Sequence, residues 1–132
     1  MRLLLLGEAT TSARYLLGTF ARAGIAVRHV EAKTPLAQDD GAWDAVVFSD
    51  YPARNLGPAA TDAIVRRVTE GAGLLMIGGW TSFNGQGTGY RGTPIDELLP
   101  VHCLAGDDRR NVPSGFWLEA VQPAHPILAG LD

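Results

Sequence analysis

A chain of 132 residues, 46% of them apolar, is long enough to bury one core and is expected to form a single domain over residues 1–132. The formal charge of −3 and the scattered basic residues, paired only at Arg66-Arg67 and Arg109-Arg110, argue against a nucleic-acid surface. The single cysteine excludes an internal disulfide and a multi-cysteine zinc site.

Met1 to Leu6 carries an apolar run too short for a signal peptide, ended by Gly7-Glu8, and reads better as a first buried strand. With no stretch of membrane-spanning length, the expectation is a soluble cytoplasmic protein that binds neither membrane nor nucleic acid.

Leu3 to Leu6 has the continuous apolar character of a parallel strand covered on both faces. Thr10, Thr11 and Ser12 offer N-caps for a helix whose apolar face is Ala13, Leu16, Leu17, Phe20 and Ala21, ending at Gly24. Ala26 to Ala32 is a second strand. Thr34 to Gly41 is a polar connector, and Ala45 to Phe48 is a third strand leading into Ser49-Asp50-Tyr51-Pro52. Pro58 suits the first turn of a second helix, which presents Ile64, Val65 and Val68 and stops at Gly71.

Leu74 to Ile77 is the fourth strand. This alternation is the grammar of a doubly wound, mostly parallel α/β sheet. Beyond it, Gly78 to Thr93 is a long glycine-rich loop. Thr93-Pro94 then caps a short helix over Ile95 to Leu99, and Val101 to Leu104 and Phe116 to Val121 are expected as short strands.

In such a sheet ligands sit beyond the carboxyl ends of the strands. With the strands ordered 2-1-3-4, Glu8, Asp50 and Gly78-Gly79-Trp80 converge on one rim. Glu8, Asp50, Gly78, Gly79, Trp80, Ser82, Tyr90 and Arg91 are therefore the candidate ligand-binding residues, for a small polar ligand. Trp80, Phe83 and Tyr90 could form an aromatic wall for a sugar or another flat ligand, or could close the loop onto the core or onto a second subunit. Capping of neighbouring helices is an equal reading for Glu8 and the preferred one for Asp50.

Gly85-Gln86-Gly87-Thr88-Gly89 fails as a dinucleotide fingerprint, because Tyr90 stands where a third glycine belongs and the run does not follow the first strand. Its backbone amides could still form an anion-holding nest. His29, His102 and His125 lack metal-ligand spacing, and neither a metal nor a cofactor is expected. Asp107-Asp108-Arg109-Arg110 reads as a solvated loop with local ion pairs.

Gly78-Gly79, Tyr90-Arg91-Gly92-Thr93-Pro94, Leu99-Pro100-Val101, Asp107-Asp108-Arg109 and the segment from His125 to Leu131 together resemble the glutamine amidotransferase-like family. That family lies within the class I glutamine amidotransferase-like superfamily and is similar to the ThuA-like proteins. The resemblance implies a flavodoxin-like three-layer sandwich. It also implies a domain longer than this chain, so the sheet is expected to be truncated at the C-terminus and to expose an edge that something covers, which favours a homo-oligomer.

The resemblance further implies glutamine hydrolysis by a cysteine on a sharp turn after a central strand, with a histidine relaying the proton and backbone amides holding the oxyanion. The corresponding turn, Ile77 to Ser82, contains no cysteine. Standard glutaminase activity is therefore not expected. The remaining catalytic candidates are Glu8, Ser82 and Cys103. Ser82 lacks the Gly-x-Ser-x-Gly elbow, and Cys103 reads more simply as a packed thiol. A hydrolytic or sugar-processing enzyme similar to ThuA-like proteins, using Glu8 and the 80–91 loop, is the alternative to a non-catalytic binding or assembly domain.

Overall fold

The computed structural model describes residues 1–85 and 89–130. Gln86, Gly87 and Thr88 of the glycine-rich run, and Leu131 of the closing segment, lie outside the described residues.

Four strands form one parallel sheet: β1 (Arg2–Gly7), β2 (Ala26–Glu31), β3 (Ala45–Ser49) and β4 (Gly73–Ile77). Their spatial order is β2-β1-β3-β4, as the βαβ alternation predicts. The central strands are apolar because both faces are covered. Helix α1 (Thr10–Arg22) lays Leu16, Leu17 and Phe20 over Leu3, Leu5 and Val47. Helix α2 (Pro58–Thr69) lays Ala60 and Ile64 over the opposite face, against Leu4, Leu6, Val46 and Phe48. Each fully buried large apolar side chain contributes roughly 1.5–3 kcal/mol to this arrangement.

Both helices stop where expected: Gly24 and Gly71 follow them with φ of 68° and 106°, a region that glycine enters without a Cβ penalty. Pro58 is at the start of α2.

The start of α1 differs from expectation. Ala9 precedes the helix and supplies no side-chain cap. The Glu31 carboxylate, at the end of β2, instead accepts the Thr10 N–H at 2.9 Å and the Thr10 hydroxyl at 2.8 Å. A cap supplied 21 residues away in sequence replaces the local Thr/Ser cap, and those donors hold the Glu31 carboxyl below its ordinary range.

The region after the glycine-rich loop departs more. The expected helix at Ile95 to Leu99 is a single 3-10 turn, Asp96–Leu98. Neither Val101 to Leu104 nor Phe116 to Val121 is a strand. A short apolar run becomes a strand only when a ladder partner accepts its backbone groups, and among the described residues β4 pairs with β3 alone.

Candidate functional site

The carboxyl ends of β3 and β4 are tied together at residue level. Immediately after β3, Asp50 adopts the left-handed conformation, φ 62°, which a short polar side chain tolerates. Its carboxylate Oδ1 accepts the Thr81 N–H at 2.5 Å and the Thr81 hydroxyl at 2.9 Å. In return the Asp50 N–H donates to Ser82 Oγ at 3.0 Å. Gly79 is required by this approach, since a Cβ there would stand 2.6 Å from Asp50 Oδ1. Asp50 therefore caps the β4 loop rather than a helix.

The next turn of the loop is held in the same way. Asn84 N–H donates to Asp108 Oδ2 at 2.8 Å, and Gly85 N–H donates to Asp108 Oδ1 at 3.0 Å. The Asn84 side-chain amide donates to the Gly106 carbonyl at 2.8 Å. Two consecutive amides, Asn84 and Gly85, chelate one carboxylate as an anion nest does, and the chain's own Asp108 fills it; of the Gly85–Gly89 run expected to form a nest, Gln86, Gly87 and Thr88 lie outside the described residues.

Tyr90 does not line the crevice. It is fully buried, with its hydroxyl donating to the Tyr51 carbonyl at 2.6 Å and its ring edge-on to Phe48 at 5.5 Å between centroids. Burial pushes its phenol well above the ordinary value, so it stays a neutral donor. Tyr51 continues the chain of contacts, donating to the Thr34 carbonyl at 2.7 Å. The expected aromatic wall therefore divides: Tyr90 and the half-buried Phe83 belong to the core cluster, and Trp80 alone is turned outward, 63% exposed.

The catalytic candidates are not gathered. Glu8 is tied by its backbone, its N–H to the Ser49 carbonyl at 3.0 Å and its carbonyl to His29 Nε2 at 2.9 Å. Among the described residues, no hydrogen bond joins the Glu8 side chain to Ser82, Tyr90 or Arg91. Ser82 is only 1% exposed and its oxygen receives the Asp50 amide. Cys103 packs in the core cluster with Tyr90 and Ile95, and burial, followed by the neighbouring Asp96 carboxylate, pushes its thiol up to about 12. Among the described residues no group of three or more His, Cys, Asp or Glu could hold a metal ion.

What does stand at the open rim is one expected ligand-binding residue, Trp80, together with residues of the polar loop that sequence reasoning left as solvated. Trp80, Asp107, Arg109 and Asn111 line a cleft of about 350 Å³. The Arg109 guanidinium lies over the Trp80 ring, 4.8 Å from its centroid. Arg109 Nε and Nη2 donate to the Asp107 carboxylate at 2.8 and 2.5 Å, which holds the Asp107 carboxyl down to about 2. The Asp-x-Arg spacing that allows this pairing is visible in sequence; the approach of its loop to Trp80 is not.

A larger concavity, about 640 Å³, lies at the opposite end of the sheet against Arg2, Arg28, Asp39 and Trp43. There the fully buried Asp39 carboxylate already accepts from Arg28 at 2.6 Å and from the Trp43 indole at 2.7 Å. Its charges answer each other, and it is remote from the carboxyl-end rim where sheets of this topology bind ligands.

An open parallel sheet ordered β2-β1-β3-β4, with a helix on each face and its longest loop after β4, defines an α/β protein of the flavodoxin-like class. A family model described as "Putative glutamine amidotransferase" matches residues 45–132, and the chain belongs to that family. The match begins at the first residue of β3 and includes β4, the glycine-rich loop and the Asp107–Arg109 segment. No curated protein matches the chain.

Proposed function

We propose that this chain is a member of its family without glutaminase activity, and that it holds a small, uncharged polar ligand with a flat face at the strand-end rim. The observation that carries this reading is the electrostatic closure around Trp80. The Thr81, Asn84 and Gly85 amides that could hold an oxyanion or a ligand carboxylate already donate to Asp50 and Asp108. Arg109, the cation that lies over the Trp80 ring, is paired with Asp107. Among the described residues, what is left for a ligand is an exposed indole face beside polar but charge-balanced groups, the chemistry that suits a sugar ring or a nucleoside base.

The turn from Ile77 to Ser82 supplies no thiol, and Cys103 is a buried, protonated one at neutral pH. An acid–base enzyme similar to ThuA-like proteins, built on Glu8, has less support because, among the described residues, no hydrogen bond joins the Glu8 side chain to Ser82, Tyr90 or Arg91.

Titration with uncharged monosaccharides and nucleosides, read by calorimetry so that the signal does not depend on the Trp80 indole, tests the reading. Saturable binding that is lost in Trp80→Ala is expected, with no ammonia released from glutamine. Ammonia release that disappears in Cys103→Ala, or saturable binding indifferent to Trp80→Ala, would overturn it.

A further inference from the structure

Asn84 is followed by Gly85, a pair in which the side-chain amide can react with the backbone. The Gly85 nitrogen, once it has lost its proton, attacks Asn84 Cγ. The Cγ–Nδ2 bond breaks, and Nδ2 leaves as ammonia after taking a proton from water. A second water then opens the cyclic imide at either carbonyl, leaving aspartate or isoaspartate at position 84. Glycine favours the attack because no Cβ shields its nitrogen. Asn55 and Asn111 are followed by Leu56 and Val112, whose side chains do shield it. The packing of the turn demands the reactive pair: Gly85 has φ of 33°, and a Cβ there would overlap the Trp80 carbonyl.

Segment 106–108 restrains every group the reaction needs. The Gly85 N–H is donated to Asp108 Oδ1, so the amide anion required for attack would form against a negative charge. The Asn84 N–H is donated to the other oxygen of the same carboxylate, which fixes the peptide between the two residues. The leaving group, Asn84 Nδ2, donates to the Gly106 carbonyl, and Asn84 is buried. Gly89 closes the site from behind, where a Cβ would overlap Asn84 Oδ1.

We propose that Asn84-Gly85 is a self-modifying site, held unreacted while segment 106–108 is seated and converted when that segment lifts, and that conversion prevents the segment from seating again. A carboxylate then stands where Nδ2 donated. It offers the Gly106 carbonyl no proton and adds a negative charge beside Asp108. Isoaspartate also lengthens the backbone by a methylene between the two amides that chelate Asp108. Arg109, which lies over Trp80 from the same segment, is released with it. The proposal stands apart from the ligand reading at Trp80. The ammonia it liberates is equimolar with the chain and independent of added glutamine, which separates it from glutaminase turnover.

Incubation at mildly alkaline pH, followed by peptide mass and isoaspartate assay, tests it. Conversion at Asn84 is expected to outpace that at Asn55 and Asn111. Asp108→Ala is expected to convert more than about tenfold faster, since it removes two of the restraining bonds. Unfolding in guanidinium is expected to bring the variant and the unaltered chain to one common, faster rate. Asn84→Asp, which mimics the product, is expected to speed hydrogen exchange of the Gly85 amide and to leave that of the β1 and β3 amides unchanged. Equal rates in the folded unaltered chain and folded Asp108→Ala would overturn the proposal. So would an unaltered chain that converts as fast folded as unfolded, a comparison that needs no variant, or a Gly85 amide as protected in Asn84→Asp as in the unaltered chain.

Discussion

The Asp50 carboxylate accepts both the backbone N–H and the hydroxyl of Thr81, at 2.5 and 2.9 Å, and so fixes the loop after β4 to the end of β3. Asp50→Ala removes both bonds and leaves the Thr81 amide without its partner, at an expected cost of about 1–3 kcal/mol. Gly79→Ala places a Cβ against the same carboxylate. Its cost is therefore expected to be larger in the unaltered chain than in the Asp50→Ala background. A double-mutant cycle by urea unfolding measures this, and additive effects would show that the two positions do not interact.

Tyr90→Phe deletes a buried hydroxyl that donates to the Tyr51 carbonyl at 2.6 Å. The expected destabilisation is about 1–2 kcal/mol, since the carbonyl keeps its burial and loses its donor. Phe48→Ala, which removes the ring packed edge-on against Tyr90, is expected to cost roughly 3–5 kcal/mol by opening a cavity. Denaturant midpoints separate the two. Ligand titration of Tyr90→Phe at Trp80 should be unchanged, because Tyr90 lies in the core.

Cys103 should behave as a structural thiol. Raised to about 12 in the folded chain, it is expected to react slowly with iodoacetamide at neutral pH and quickly once the chain unfolds. The unfolded thiol ionises at lower pH than the folded one. Stability is therefore unaffected below the ordinary thiol range and falls as pH rises from there toward about 12. Rapid alkylation of the native protein at pH 7 would contradict the burial argument.

Acid should act through Glu31 and Asp96. Both are more acidic folded than unfolded, Glu31 through the Thr10 amide and hydroxyl, Asp96 through the Gly92 and Cys103 amides. Their stabilisation is complete above the ordinary carboxylate range and is lost as pH falls through their lowered values. Glu31→Gln is expected to flatten the acid limb of a melting-temperature profile and to fray α1 at Thr10, visible as faster exchange of its amide.

Asp108→Ala should leave the sheet intact while releasing the Asn84 and Gly85 amides. Faster hydrogen exchange confined to the 81–85 turn is expected, together with weak binding of added acetate or phosphate where the carboxylate was. Uniformly accelerated exchange would mean that Asp108 supports the whole fold rather than this loop.

The layers of this fold were legible because they depend on short-range patterns. Leu3 to Leu6 and Ala45 to Phe48 are unbroken apolar runs that only a doubly covered strand can bury, and Pro58, Gly24 and Gly71 punctuate the helices by backbone geometry alone. The missing thiol in the turn after β4 was equally readable, and it directs the reading away from glutamine hydrolysis whatever the packing.

The roles of polar residues were not legible, because each depends on a partner far away in sequence. Asp50 offers the same carboxylate to a helix end or to Thr81, and only the convergence of β3 with β4 chooses Thr81. Tyr90 sits in a run of glycines and polar groups that looks like an open loop, yet its hydroxyl reaches Tyr51 across 39 positions and takes the ring into the core. Arg109 becomes a rim residue only because its loop approaches Trp80. Hydrophobic periodicity and turn chemistry are local and determine the α/β layers from sequence. Which hydrogen-bond donors each carboxylate satisfies, and which aromatic ring faces water, is decided by long-range packing, which exists only once the sheet has formed.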